Sequence, residues 1–295
     1  MDEDVLVQLE KDLSGEGGEA LRMYFKGNPE GVKAWEKSIA RPIYRKDVNY
    51  LSKLSELMEP SVVKKFPNGQ TDIDNIIAAL VHPQTGGTHP FLKNVADHLD
   101  DVKYLVVNLN EVDGFSKVVA ALKNTNFYAQ DGVSHMLTKL KTIDPSKVRK
   151  LEGKILDADN LDGICENCLF DIEYEAGPGL IKKLELKSYS QSTINNILFS
   201  TKFKNQFKAY LANANNMNSF EYIFNSKKVN DLNFIKSKFK ELFQQDNYKI
   251  YDDILKANPN STVFSSIGIN TKGQFIQAVN KTGHDHDLYN FINKL

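Results

Sequence analysis

FDIEYEAGPGLIKKLELKSYS, residues 170–190, decides the reading of this 295-residue chain. Two runs of alternating apolar and polar residues flank Ala176-Gly177-Pro178-Gly179, the pattern of a hairpin. Strand side chains alternate between faces, so Leu184 and Leu186 go to a core while Glu185 and Lys187 share an open, solvated face. In the preceding strand Phe170, Ile172 and Tyr174 go to the core, and Asp171 and Glu173 face out. A hairpin folded about Pro178 sets Asp171 opposite Glu185, with Cβ atoms roughly 4.5–5.5 Å apart. Like charges at that distance repel unless a cation sits between them. Mg2+ takes one or two protein carboxylates and keeps several waters. It polarises a phosphate and acidifies a bound water. Lys187 adds a fixed positive charge suited to stabilising charge on phosphorus oxygens. Asp, Glu and Lys on one face therefore make a candidate phosphodiester-cleaving centre. The chain holds three acidic-x-Lys triplets, Asp101-Val102-Lys103, Glu152-Gly153-Lys154 and Glu185-Leu186-Lys187. Only the third combines apolar flanks with an upstream carboxylate across a Gly-Pro turn. The plainer reading is an amphipathic hairpin whose Glu173 and Lys183 pair in solvent, an interaction worth little.

The surrounding sequence predicts an α/β protein in two parts. Residues 1–145 read as a helical region. Val5, Leu6, Leu9 and Leu13 recur at helical spacing, and Leu21, Tyr24 and Phe25 start a second stripe. Asn28-Pro29 opens a helix carrying Val32, Trp35 and Ile39, and Tyr50, Leu51, Leu54 and Leu57 form another that ends before Pro60. Ile73, Ile76, Ile77 and Leu80 suggest a helix, and HPQTGGTHP at 82–90 a loop. Tyr104 to Leu109 is an apolar run that fits strand or buried helix; Val118 to Leu122 and Val133 to Leu140 fit helices. Residues 146–295 read as a mixed α/β domain. Pro145 starts a helix with Val148, Leu151 and Ile155. Strands are expected over 163–174, 180–189, 219–225 and 262–269, and helices from Lys202, over 234–243 and 275–279, and over 288–295. No internal repeat or low-complexity tract interrupts this order.

Bulk composition narrows the function classes. The hydrophobic fraction of 41% and charged fraction of 25% suit a globular protein. No run of eighteen apolar residues is present, which predicts no membrane span. The acidic start, MDEDVLVQLEKDL, lacks a cleaved-signal pattern. Net charge is −1, yet Ile181–Ile250 holds twelve lysines and five acids, a local excess of +7. A basic segment on an acidic chain points to a polyanionic partner, although a solvated helix surface has the same composition. Cys165 and Cys168, in CENC, are too few for a disulfide scaffold and lack further ligands for zinc. A redox pair or two small strand residues remain for them. His82 and His89 could ligate a metal but match no defensible spacing; in the tail, His284, Asp285, His286 and Asp287 offer an HxH pair that could ligate a metal on a strand, and otherwise read as a flexible polar loop. No Walker-type loop and no nucleophile-elbow serine occurs.

The residues around the hairpin resemble the PD-(D/E)XK, or restriction-endonuclease-like, nucleases. That pattern runs from a helix with Glu, through a strand with Asp and a strand with Glu-x-Lys, to a helix crossing the sheet. VRKLEGKIL offers Glu152, expected on the helix, with Glu166 as a competitor. FDIEY offers Asp171, and LELKS offers Glu185 and Lys187. KNQFKAYL contains Gln206-x-x-x-Tyr210, similar to the QxxxY motif of the RecB-like branch, with both residues on one helix face. The resemblance implies that Asp171, Glu185 and the Leu186 carbonyl bind Mg2+ or Mn2+, and that Lys187 assists hydrolysis. It covers about residues 146–245 and lacks a Pro before Asp171.

LRMYFKGNPEGVKAWEKSIARPIYRKDVNYLSKLSEL, residues 21–57, resembles the helical segment preceding toxin domains in bacterial polymorphic toxins. By analogy the chain is a secreted effector, carried by a larger secretion partner into the cytoplasm of a target cell and neutralised by a cognate immunity protein. The expected function is a metal-dependent endonuclease toxin acting on DNA, with Lys202, Lys204, Lys208, Lys236, Lys238 and Lys240 contacting phosphates. An RNA-directed nuclease such as a tRNA-cleaving toxin, and a non-catalytic interaction module on a degenerate nuclease fold, are the alternatives.

Overall fold

The computed structural model describes residues 3–80, 91–92, 94–155 and 168–295. HPQTGGTHP, Cys165 and Glu166 lie outside them. The chain divides into two compact units, residues 1–111 with 115–145, and residues 112–114 with 146–295.

The first unit is helical: α1 Glu3–Ser14, α2 Gly18–Phe25, α3 Pro29–Lys37, α4 Val48–Leu57, α5 Pro60–Val63, α6 Gln70–Ala79, α7 Val95–Leu109, α8 Phe115–Leu122 and α9 Phe127–Leu140. Local chemistry starts these helices where the sequence suggests. The Asn28 side chain accepts from the Gly31 amide with Pro29 in the first turn, and Asp47 accepts from the Asn49 and Tyr50 amides. Tyr104–Leu109 resolves as helix: Val95, Leu99, Val102, Val106 and Leu109 of α7 are buried at helical spacing. Buried Asp12 accepts from the Trp35 indole at 3.1 Å and from Arg45 at 2.7 Å, which supplies the pairing a buried charge needs.

The second unit is built on a five-stranded mixed sheet in the order β1 to β5. Strands β1 Val148–Lys154, β2 Leu169–Gly177 and β3 Leu180–Lys187 form an antiparallel meander. Helices α10 Gln191–Leu198 and α11 Thr201–Asn213 lead to β4 Phe220–Phe224, which runs parallel to β3. Helices α12 Leu232–Ala257 and α13 Lys272–Asn280 lead to β5 Ile292–Lys294, parallel to β4. Rings from these helices meet rings of β4 in one aromatic core. Tyr222 lies 5.5 Å from Phe203, 5.7 Å from Phe207 and 5.8 Å from Phe239 between centroids, the separations at which aromatic pairs attract.

Three sequence expectations change here. Residues 148–154 form a strand, not a helix; only Pro145–Lys147 makes a 3-10 turn. A register shift between Val148 and Lys150 converts the period-two pattern into a spacing of three, which imitates a helix. Residues 262–269 form no strand but a loop with a 3-10 turn at Ser265–Ile267, closed by left-handed Gly268. The expected helix over 288–295 is a 3-10 turn at Asp287–Tyr289 followed by β5. Within α12 the backbone leaves the helix at Gln245, and Asp246, Asn247 and Tyr248 are left-handed. Asp and Asn tolerate that region; Tyr248 is held by its hydroxyl, which accepts from Asn280 at 2.8 Å.

Residues 112–114 belong to the second unit because they line the outer side of β1. The Leu151 amide donates to the Asp113 carbonyl at 2.8 Å. Gly114 has φ +88°, and a Cβ there would fall 1.7 Å from the Leu151 carbonyl oxygen. Only glycine permits that approach.

Candidate active site

The hairpin turns at Gly177–Leu180, with Glu173 paired to Lys183 and Ile172 to Leu184. One residue further along this register, Asp171 meets Glu185. Asp171 Oδ2 accepts from the Leu186 amide at 2.5 Å. Glu185 is bonded at both oxygens. Its Oε1 receives the Lys187 ammonium and Gln206 Nε2, the latter at 2.9 Å; its Oε2 receives the Tyr210 hydroxyl at 2.7 Å. Gln206 also donates to the Leu169 carbonyl at 3.1 Å, tying α11 to β2. The structure thus brings Asp171, Glu185, Lys187, Gln206 and Tyr210 into one hydrogen-bonded cluster, with the Leu186 backbone in its middle.

The face on which they meet is not open. Glu185 is 4% exposed and Lys187 7%. The buried helical stripe of Phe203, Phe207 and Tyr210 lies over this face. The polar row is therefore the inner wall of the aromatic core. Access remains through a cavity of about 450 Å3, whose lining includes Asp171, Glu185, Lys187, Tyr189, Lys202 and Gln206.

Glu152 lies on β1 rather than on a helix, opposite the β2 segment that carries Asp171. It is left-handed, with φ 47°. Such backbone in a non-glycine strand residue is strained, and strain of this kind collects at functional sites. Its charge reaches Asp171 and raises that carboxyl's pKa further.

Electrostatics follow from this crowding. Burial first, and then the Glu185 charge, push the Asp171 pKa well above the ordinary carboxylate range; Lys187 and the Leu186 amide oppose them. Burial disfavours the Lys187 ammonium, but the Glu185 carboxylate beside it, joined by Tyr189 and Asp171, outweighs that and holds it protonated. Burial and Glu185 also keep Tyr210 and Tyr222 protonated.

Sequence reasoning missed the aromatic surround. The Lys187 ammonium stands 5.9 Å from the Tyr189 and Phe203 ring centroids and 6.0 Å from that of Tyr222, within cation–π range. Tyr222 pairs with Glu185 across β3 and β4. The alternation of β4 was legible, but its parallel register against β3 was not.

The lysines of the basic segment divide. Lys202 lines the same cavity as Asp171 and Glu185. Lys208 is paired with Asp253 at 2.5 Å and Lys238 with Glu241 at 2.7 Å. Lys204 and Lys208 line a second cavity of about 190 Å3 together with Lys249. Lys236 and Lys240 lie close enough to His284 to lower its pKa, after burial. His286 spends its Nδ1 accepting from the Leu288 amide at 3.0 Å. Cys168, just before β2, is disulfide-bonded. Among the described residues no three His, Cys, Asp or Glu side chains gather as a metal cage. No helix among them is long and apolar enough to cross a membrane. Comparison with protein-family models, curated proteins and solved structures finds no match for the chain.

Proposed function

We propose that residues 146–295 hydrolyse phosphodiester bonds of DNA with a divalent cation, Mg2+ or Mn2+. The observation that carries this reading is the opposition of Asp171 and Glu185 beside Lys187 in the wall of a cavity. Hard carboxylate oxygens suit such a cation, which asks for only one or two of them. Asp171, Glu185 and the Leu186 carbonyl would hold it, and it would supply an acidified water and charge stabilisation. Gln206 and Tyr210 orient the Glu185 carboxylate through its two oxygens. Lys187, kept protonated, faces the cavity as a fixed positive charge for the phosphate oxygens. Glu152 adds negative charge beside Asp171, and Lys202 offers a phosphate contact at the cavity wall.

Purified protein incubated with plasmid should cleave it with Mg2+ and stop when the metal is chelated. Lys187→Ala should lose at least about 100-fold in rate. Cleavage that survives in Lys187→Ala, or in chelator, would overturn the assignment. Digestion of tRNA in parallel separates the RNA-directed alternative.

A second reading has its own support. Both Glu185 oxygens are already engaged by protein donors, as expected of a non-catalytic module on a degenerate nuclease fold. DNA binding unaffected by chelator, with no cleavage, would favour it. The wider proposal, an antibacterial toxin with an immunity protein and a secretion carrier, rests on the likeness of residues 21–57 alone.

A further inference from the structure

One polar atom behind the site, on the strand next to Glu185, has no partner among the described residues. Tyr222 is fully buried, and its hydroxyl makes no hydrogen bond among the described residues. A buried hydroxyl left unpaired costs free energy that a phenylalanine would not. Of the rings packed on it, those at 203, 207, 220, 239 and 291 are phenylalanine, and Tyr210 spends its hydroxyl on Glu185. Tyr222 is the departure from that pattern, and it sits in register with Glu185.

Lys187 supplies the complementary problem. Its ammonium is bound to Glu185 Oε1, and Glu185 also carries Gln206 and Tyr210. A cation at this carboxylate has to compete with Lys187 for Oε1. Once displaced, the ammonium holds its protons inside an aromatic surround and needs another acceptor. The Tyr222 ring centroid is 6.0 Å from Nζ, and its oxygen has no other bond among the described residues.

We propose that the Tyr222 hydroxyl is the second seat of Lys187. With Asp171 and Glu185 free of cation, the ammonium rests on Glu185. With a divalent cation bound, it moves to the phenol oxygen and stays protonated there. Tyr222 is thus a positioning residue, acting through Lys187. This rests on the cation-dependent reading of the site.

The test compares the full chain with its Tyr222→Phe, Lys187→Met and double variants, using Mn2+ alone as probe. Free Mn2+ is followed by electron paramagnetic resonance, and folding by thermal melts without metal. Tyr222→Phe should melt no lower than the parent yet bind Mn2+ about tenfold more weakly. In the Lys187→Met background the same change should have no effect on Mn2+ affinity, because no ammonium needs the second seat. Equal affinity of the parent and Tyr222→Phe would overturn the proposal and leave the nuclease reading standing. An equal loss in both backgrounds would place the hydroxyl on the cation itself and also overturn it. No Mn2+ binding by the parent chain would remove the cation-dependent reading, and this inference with it.

Discussion

Asp171 and Glu185 stand across from each other on adjacent antiparallel strands, one bonded to the Leu186 amide and the other to the Lys187 ammonium. The pair sets function against stability. Asp171, with a pKa raised by burial and then by Glu185, favours the folded state below its unfolded pKa. That contribution is lost as pH rises from the unfolded value through the raised one, so at neutral pH the side chain is a cost relative to the ionised carboxylate of the unfolded chain. Asp171→Asn removes the cost. It should melt as high as the parent chain or higher at pH 7 without metal, with a flatter dependence of melting temperature on pH. Mg2+ should no longer raise that temperature, and cleavage should fall by about 100-fold or more. Calorimetry with and without Mg2+ checks the first part, and plasmid digestion the second.

Tyr210 makes the opposite case. Its buried hydroxyl donates to Glu185 at 2.7 Å. Tyr210→Phe leaves a buried carboxylate oxygen short of a donor and should cost about 1.5–3 kcal/mol. Chemical denaturation of the second unit reads the loss.

The helical unit should weaken in acid. Burial works against the Asp72 carboxylate, but the Lys123 ammonium at 2.6 Å and the Asn68 amide at 2.8 Å outweigh it and hold its pKa below the ordinary value. The Lys53 hydrogen bond, chief among several influences, does the same for Asp100. A lowered folded pKa stabilises above the unfolded value, about 3.9, and the gain disappears as pH falls through the folded one. The melting temperature of this unit should therefore drop below about pH 4, and Asp72→Asn should flatten that drop. Melts followed by circular dichroism across pH 3–7 provide the check.

Gly114 offers a test away from the site. Its positive φ and its closeness to the Leu151 carbonyl exclude a side chain. Gly114→Ala should cost more than about 1 kcal/mol, seen as a lower denaturation midpoint of the second unit.

Much of this architecture was legible in the residues. The hairpin register follows from Pro178 and from alternation, so Asp171 falls opposite Glu185. Gln206 and Tyr210 share a helix face, and they reach the same carboxylate. What the string 170–190 could not reveal is what covers it. Burial of Glu185 and Lys187 depends on where α11 lies and on β4 joining in parallel, and both are long-range facts. β1 was disguised because its register shift spaces Val148 and Leu151 like a helix. Tyr222 stayed hidden for the same reason as α11: its importance lies in a neighbour found 37 positions earlier in the chain.

The short segment at 112–114 has a consequence for anyone trimming the protein. β1 is the rim of its sheet, and an uncovered rim offers its amides and carbonyls to any other strand. By holding the Leu151 amide, Asp113 closes part of that rim. A fragment starting at Ser146 would expose it, and the freed rim would recruit a second copy, turning a monodisperse sample into dimers or precipitate.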